Sequence, residues 1–176
     1  MVATRIHTVG GSGSGTSTLG RALAAALSYR WLDADDFFWE PTEPPYTTQR
    51  AKPDRISMLT EETVGERWVL SGSVAGWDAA IENRFDAVIF LFVPPRIRMQ
   101  RLRERELARF GGTLDTGFME WAEKYDSAGM EMRSLAVHEQ WLSERSCPVL
   151  RIEGSPTLED SLQRALGFVR GVPGRA

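Results

Sequence analysis

The sequence predicts an α/β fold built on a parallel sheet. Strand-like apolar runs alternate with helical patterns from one end of the chain to the other. The strongest run, Ala87-Val88-Ile89-Phe90-Leu91-Phe92-Val93, is apolar without alternation, as a central parallel strand covered on both faces must be. A glycine-rich turn joins the first strand to the first helix, the kind of junction such sheets use to bind phosphate.

Arg5-Ile6-His7-Thr8-Val9 reads as the first strand, ending at Gly10. Thr18 to Leu27 reads as the first helix, with Leu19, Leu23 and Leu27 on one apolar face. Tyr29 to Asp33 is a second strand that runs into acidic residues, after which Pro41, Pro44 and Pro45 break regular structure. A helical pattern resumes from Pro53 to Gly65, carried by Ile56, Leu59 and Val64. Trp68-Val69-Leu70 is a short buried strand stopped by Ser71-Gly72-Ser73, and Trp77 to Arg84 a short helix. The strand from Ala87 ends at Pro94-Pro95, and an arginine-rich helix runs from there to about Arg109. Gly111 to Gly117 is a loop, Phe118 to Ser143 one long helix, Pro148 to Ile152 the last strand, and Thr157 to Val169 a terminal helix. Five parallel strands put the ends of the first three, and with them any ligand, in one crevice.

A chain of 176 residues is expected to form one domain, residues 1–176, with an adequate core. A net charge of −3 argues against general nucleic-acid binding. Cys147 is the only cysteine, which excludes an intramolecular disulfide and fits a reducing, cytoplasmic setting. No apolar run approaches membrane-spanning length, and no signal peptide is expected. With two histidines and one cysteine, zinc sites and Cys/His nucleophile sites are not expected. His7 reads as a packed or edge histidine inside a strand, and His138 lies on the long helix.

Gly10-Gly11-Ser12-Gly13-Ser14-Gly15-Thr16-Ser17 matches the phosphate-loop pattern G-x-x-x-x-G-K-[ST] except that Thr16 stands in place of lysine. The two parts do separable jobs. Glycines let backbone N–H groups converge on a phosphate beside a helix N-terminus, whereas the lysine brings a mobile charge to the outer phosphates. Gly10 to Thr18 are therefore expected to hold the phosphates of ATP or another nucleoside triphosphate, with the Ser17 hydroxyl a ligand of Mg²⁺. Composition does not explain Thr16: the chain has 19 arginines and two lysines, and such a bias would favour arginine, which keeps the charge.

Two further clusters bear on the same crevice. Asp33, Asp35 and Asp36 follow the second strand, where carboxylates beside a phosphate site can hold Mg²⁺ or take a proton from an attacking hydroxyl, or form a solvated turn or helix cap. On an extended backbone Asp33 and Asp35 face one side. From Arg96 to Arg109 six arginines and two glutamates give a local charge of +4, with Arg98, Arg101 and Arg105 on one helical face. That face is either solvated or a phosphate clamp ahead of a mobile glycine loop. Arg133 could return from the far side of that loop to the same phosphates. Trp39, Tyr46 and Trp77 flank the acceptor region and could stack on a ring, or be core and rim residues; Trp121 and Trp141 read as helix-packing residues.

These residues resemble the small P-loop kinases of nucleotides, nucleosides and metabolites over nearly the whole chain. The resemblance implies a three-layer fold, a five-stranded parallel sheet between helices, with an acceptor-binding segment at about 36–65 and a lid at about 109–120. The proline-ended strand followed by Arg101 and Arg105 is similar to adenylate kinase-like enzymes, whose corresponding arginines bind nucleotide. Leu32-Asp33-Ala34-Asp35 resembles the D-x-D segment of shikimate kinase-like enzymes, where the first Asp helps hold Mg²⁺ through water and the second contacts the substrate hydroxyl. Asp35-Asp36-Phe37-Phe38 followed by Pro41 is similar to nicotinamide riboside kinases, where the first Asp is the proposed base. Ser71-Gly72 resembles the glycine-rich strand end that lines an acceptor pocket.

The implied activity is Mg²⁺-dependent transfer of the γ-phosphate of ATP to a small nucleotide, nucleoside or hydroxylated metabolite. Asp35, Arg101, Arg105 and Arg133 are the implied catalytic residues, Ser17 and Asp33 the metal site. Asp35, Ser71 and Gly72 are the implied acceptor contacts, and Arg50 and Arg55, in the segment after the prolines, are expected to bind the acceptor if it is anionic. A monomer or homodimer without nucleic-acid or membrane partners is expected. Thr16 departs from all these families, and the third strand ends without a carboxylate. The rival expectation is a nucleotide-binding or regulatory protein with impaired catalysis.

Overall fold

The computed structural model describes residues 2–65 and 67–174. Five strands form one parallel sheet: β1 (Arg5–Gly10), β2 (Arg30–Asp33), β3 (Trp68–Ser71), β4 (Ala87–Phe92) and β5 (Val149–Glu153), in the order β2-β3-β1-β4-β5. The α/β class and five-stranded parallel sheet expected from the sequence are present.

Both faces of the sheet are covered. Ile6, Val69, Ala87, Ile89 and Leu91 pack on one side against Leu19 and Leu23 of α1 (Thr16–Leu27) and Ala165 and Val169 of α8 (Leu158–Gly171). Val88, Phe90, Trp68 and Leu70 pack on the other. They meet Leu59 of α3 (Lys52–Glu62), Ile81 of α4 (Ala79–Glu82) and Trp141 of α7 (Leu135–Ser143). Ile89 and Phe90 are fully buried, each contributing about 2 kcal/mol relative to exposure. This is why β4 reads as an unbroken apolar run. Trp77 and Trp141 belong to this core.

The strand register sets the site. Thr8 of β1 pairs with Ser71 of β3, which pairs with Asp33 of β2. Three carboxyl-terminal strand ends therefore stand side by side, with α1 and the short helix α2 (Ala34–Phe38) starting above them.

Two expectations are corrected. Asp33 and Asp35 do not share an extended strand: Asp33 caps α2, its Oδ1 accepting from the Asp35 N–H at 3.1 Å. The long helix from Phe118 to Ser143 is two helices. α6 (Thr116–Glu123) passes into a 3-10 turn at Lys124–Asp126 and then irregular chain, and α7 begins only after Ser134. The Ser134 hydroxyl accepts from Val137 N–H at 3.1 Å and caps α7, while Gly129 bonds the Glu131 side chain instead of continuing the helix. The break lets Arg133 and His138 reach into the crevice region.

The irregular chain in the segment expected to be a lid is short. α5 (Pro95–Arg109) starts at a proline suited to a helix's first turn and ends before Gly111 and Gly112, both at positive φ, and α6 resumes at Thr116. In the segment expected to bind an acceptor, Trp39 bridges Gln49, and Arg50 N–H bonds Phe38 O at 2.8 Å. Tyr46 meets the end of α5: Arg109 lies over its ring at 4.5 Å and bonds its hydroxyl. No helix among the described residues is long and apolar enough to cross a membrane.

Candidate active site

The phosphate loop runs from the end of β1 into α1. Ser14 N–H bonds Gly11 O at 3.0 Å, and Gly13 and Gly15 take φ of 85° and 91°. Any side chain at Gly10 would strike Leu91 O, and one at Gly11 would strike the Tyr125 ring. These glycines keep the cradle open and closely backed. At the lysine position Thr16 brings no charge, and its carbonyl accepts from Thr8 Oγ1 at 3.2 Å and Ser71 Oγ at 3.3 Å.

The Ser17 hydroxyl donates to Asp33 Oδ2 at 2.8 Å. This pair of hard oxygen donors at the foot of α1 fits an Mg²⁺ ion that completes its shell with water and phosphate oxygens. Among the described residues no group of three or more His, Cys, Asp or Glu could hold a metal by itself. A metal here would rest on these two side chains and the nucleotide.

Asp35 stays open to the cleft while protein closes around its carboxyl group. That burial raises its pKa, and the Asp33 charge raises it further, against the opposing pull of Arg133 and Arg105. Asp36 is raised too, by burial and then by Asp33. Arg133 is half-buried, its guanidinium 4.9 Å over the Trp121 ring, and among the described residues it has no ion-pair or hydrogen-bond partner. Burial lowers its pKa, and Asp35 is the first of the charges that support it. An unpaired cation held on an aromatic face beside a carboxylate is poised for an anion.

The arginine face of α5 separates into three environments. Arg98 is wholly buried: it pairs with Asp126, donates to Ser12 O and Ala122 O at 3.1 Å each, and lies over the Tyr125 ring. It braces the phosphate loop from behind. Arg101 donates to Ser155 Oγ at 2.7 Å and lines a hollow of about 270 Å³ with Gly15, Thr18, Ile152, Gly154 and Pro156. Arg101 thus stands beside the start of α1, on the side of the phosphate loop that faces β5. Arg105 is half-exposed and held by Glu106 at 2.9 Å, within electrostatic reach of Asp35.

Two more expected contacts are committed elsewhere. Arg50 donates to Trp39 O at 3.0 Å and pairs with Glu40 at 3.3 Å, bracing the acceptor segment. Ser71 is fully buried, bonded to Thr8 Oγ1 at 2.9 Å and accepting from Trp31 Nε1 at 3.0 Å, so its side chain supports the phosphate loop. Arg55 is placed differently. It lies 4.6 Å over Phe38 and 4.9 Å over Trp77 with no ion pair, and its buried Nε lacks a partner. Gly72, at φ 96°, passes close to Ala34 and Asp33.

Sequence reasoning missed Ser73, Tyr125 and His138, which form one chain of hydrogen bonds. The Tyr125 hydroxyl meets His138 Nδ1 at 2.7 Å, and His138 Nε2 meets Ser73 Oγ at 3.0 Å. No spacing signals a contact between residues 65 apart.

The fold is that of the P-loop kinases. A solved shikimate kinase from Acinetobacter baumannii in complex with shikimate matches with a TM-score of 0.63 at 20% identity, over 94% of this chain and 92% of that one. A gluconokinase from Sinorhizobium meliloti 1021 matches with a TM-score of 0.55 at 17% identity, over 94% and 90%. The chain belongs to the same family as the uncharacterized protein YqaC of Bacillus subtilis (strain 168), being 42% identical over 174 residues, 93% of this chain and 96% of that protein. Shikimate kinase 2 of Serratia proteamaculans (strain 568) is 32% identical over 109 residues, 56% of this chain and 63% of that enzyme. No protein-family model matches.

Proposed function

We propose that this protein is a phosphotransferase that moves the γ-phosphate of ATP, with Mg²⁺, to a hydroxyl of a small anionic metabolite. The observation that carries the reading is the convergence of the Ser17–Asp33 pair, the Asp35 carboxyl with its raised pKa and the unpaired Arg133 beside one glycine cradle. The nucleotide phosphates lie along the N–H groups of Gly11 to Thr18, and the base end occupies the hollow under Arg101. Ser17 and Asp33 would hold an Mg²⁺ ion, which would supply positive charge to the phosphates. Asp35 orients the acceptor hydroxyl and takes its proton. Arg133, with Arg105 at its flank, supplies the positive charge that Thr16 does not.

Arg55, unpaired between two aromatic rings at the acceptor segment, favours an acceptor bearing a carboxylate or phosphate over a neutral nucleoside. The shikimate bound by the Acinetobacter baumannii shikimate kinase, a hydroxylated carboxylate, agrees with that preference.

The test is transfer from γ-labelled ATP and Mg²⁺ across hydroxycarboxylates, nucleosides and nucleotides, with Asp35→Asn as control. Transfer to a hydroxylated anion, lost in Asp35→Asn, supports the reading. The second reading, a nucleotide-binding or regulatory protein without efficient transfer, is favoured by Thr16 alone. It gains the field if nucleotide binds and no acceptor is phosphorylated.

A further inference from the structure

The Tyr125–His138–Ser73 chain lies beside the crevice without a part in the steps above. His138 is fully buried, and burial pulls its pKa down to about 3, so the ring is neutral and carries one N–H. Tyr125 is buried too, and burial pushes its phenol well above the usual range, so it keeps its proton. Three protons must therefore be shared among three groups along one line.

Two arrangements are possible. If His138 Nδ1 carried the hydrogen, it would donate to Tyr125 Oη, and the phenolic proton would point into a buried space. The only hydrogen-bond partner of that hydroxyl among the described residues is His138. A buried donor left unmet is costly, so the opposite direction wins. Tyr125 donates to Nδ1, Nε2 carries the hydrogen and donates to Ser73 Oγ, and the Ser73 proton is turned away from the chain.

Ser73 is half-buried, in the turn just past the carboxyl end of β3 and next to Gly72, which touches the start of the helix carrying Asp35. His138 also lies within electrostatic reach of Arg133. Ser73 thus lies just past the strand ends, on the side of the sheet where the helix of Asp35 begins.

We propose that Ser73 is a specificity-determining hydrogen-bond donor for an oxygen of the acceptor substrate, fixed in that role by His138 and Tyr125. The inference rests on the phosphotransferase reading and refines it: the acceptor presents Ser73 with an oxygen that accepts, such as a carboxylate or carbonyl, and not with a group that can only donate. Because the Tyr125 ring also packs on Gly11, the same residue backs the phosphate loop and sets the polarity of the acceptor contact.

The test combines ¹⁵N shifts of the His138 ring with steady-state kinetics, using shikimate and D-gluconate as acceptor probes. The proposal expects the Nε2–H tautomer in the wild type. It also expects Ser73→Ala to raise the acceptor KM about tenfold, the loss of one good hydrogen bond, with the ATP KM unchanged and Ser73→Thr restoring it. Tyr125→Phe keeps the ring against Gly11 and is expected to raise the acceptor KM while leaving the ATP KM alone. An Nδ1–H tautomer, or an unchanged acceptor KM in Ser73→Ala, overturns the proposal. If the wild type phosphorylates no acceptor, the kinase reading fails, and the tautomer still decides whether Ser73 is held as an outward donor.

Discussion

Ser17 Oγ stands 2.8 Å from Asp33 Oδ2, so the last residue of the phosphate loop and the last residue of β2 share one proton position at the mouth of the sheet. The same Asp33 caps α2 through its other oxygen and raises the pKa of Asp35. One carboxylate thus places the helix, tunes the neighbouring acid and offers a metal ligand.

Asp33→Asn separates these duties, since asparagine caps helices as well as aspartate but carries no charge. The cap and the fold are retained. The Mg²⁺ concentration for half-maximal activity rises about tenfold or more, as expected for an outer-sphere carboxylate. Wild-type activity falls as pH drops through the raised pKa of Asp35. Removing the Asp33 charge moves that acidic limb to lower pH. Mg²⁺ titrations and pH–rate profiles of the two proteins check both effects.

Arg133→Met removes the unpaired guanidinium while leaving an apolar stem over Trp121. The expected loss is about a hundredfold to a thousandfold in kcat, with nucleotide affinity little changed. Thr16→Lys is its complement. With Arg133 already supplying the charge, the added lysine leaves kcat within about a factor of three, and combining it with Arg133→Met recovers part of the loss.

The Arg98–Asp126 pair is a stability element. Arg98→Met leaves Asp126 without its cation and removes the guanidinium donor from the Ser12 and Ala122 carbonyls, at an expected cost of about 3–5 kcal/mol in denaturant unfolding. Replacing both partners, as Arg98→Met with Asp126→Leu, costs less than the single change, because no buried charge is left unpaired.

His7 and His138 give the protein an acid-sensitive core. Burial lowers both pKa values to about 3, below the value of 6.5 in the unfolded chain. The folded state therefore binds fewer protons between those limits. Stability is full above pH 6.5 and declines as pH falls towards 3, by up to about 1.4 kcal/mol per pH unit for each histidine. Unfolding curves between pH 8 and 4 measure the slope, and His7→Gln is expected to remove close to half of the histidine contribution.

Much of this was legible in local patterns. The β4 run announced a doubly covered strand because each of its residues meets one of two buried layers. The glycine loop announced the phosphate cradle because close approach of Leu91 and Tyr125 tolerates no side chain at Gly10 and Gly11. What escaped the sequence was the competition for each arginine and hydroxyl. Arg98, Arg101 and Arg105 share a helical face, yet Asp126, Ser155 and Glu106 send them to different tasks. Ser71 is consumed beneath the loop, and Ser73, two residues on, is the hydroxyl beside the crevice. Helical periodicity ran through 118–143 because Ser134 and Gly129 act by local side-chain and backbone bonds that apolar spacing does not record.

The most direct measurement is phosphate transfer from γ-labelled ATP and Mg²⁺ to hydroxycarboxylates by the wild type, Asp35→Asn and Arg133→Met, alongside nucleotide binding by all three. The account predicts transfer by the wild type, its loss in Asp35→Asn, a fall of about a hundredfold or more in Arg133→Met, and nucleotide binding kept throughout. Intact nucleotide binding with no transfer by the wild type to any acceptor, or full activity in Arg133→Met, contradicts it.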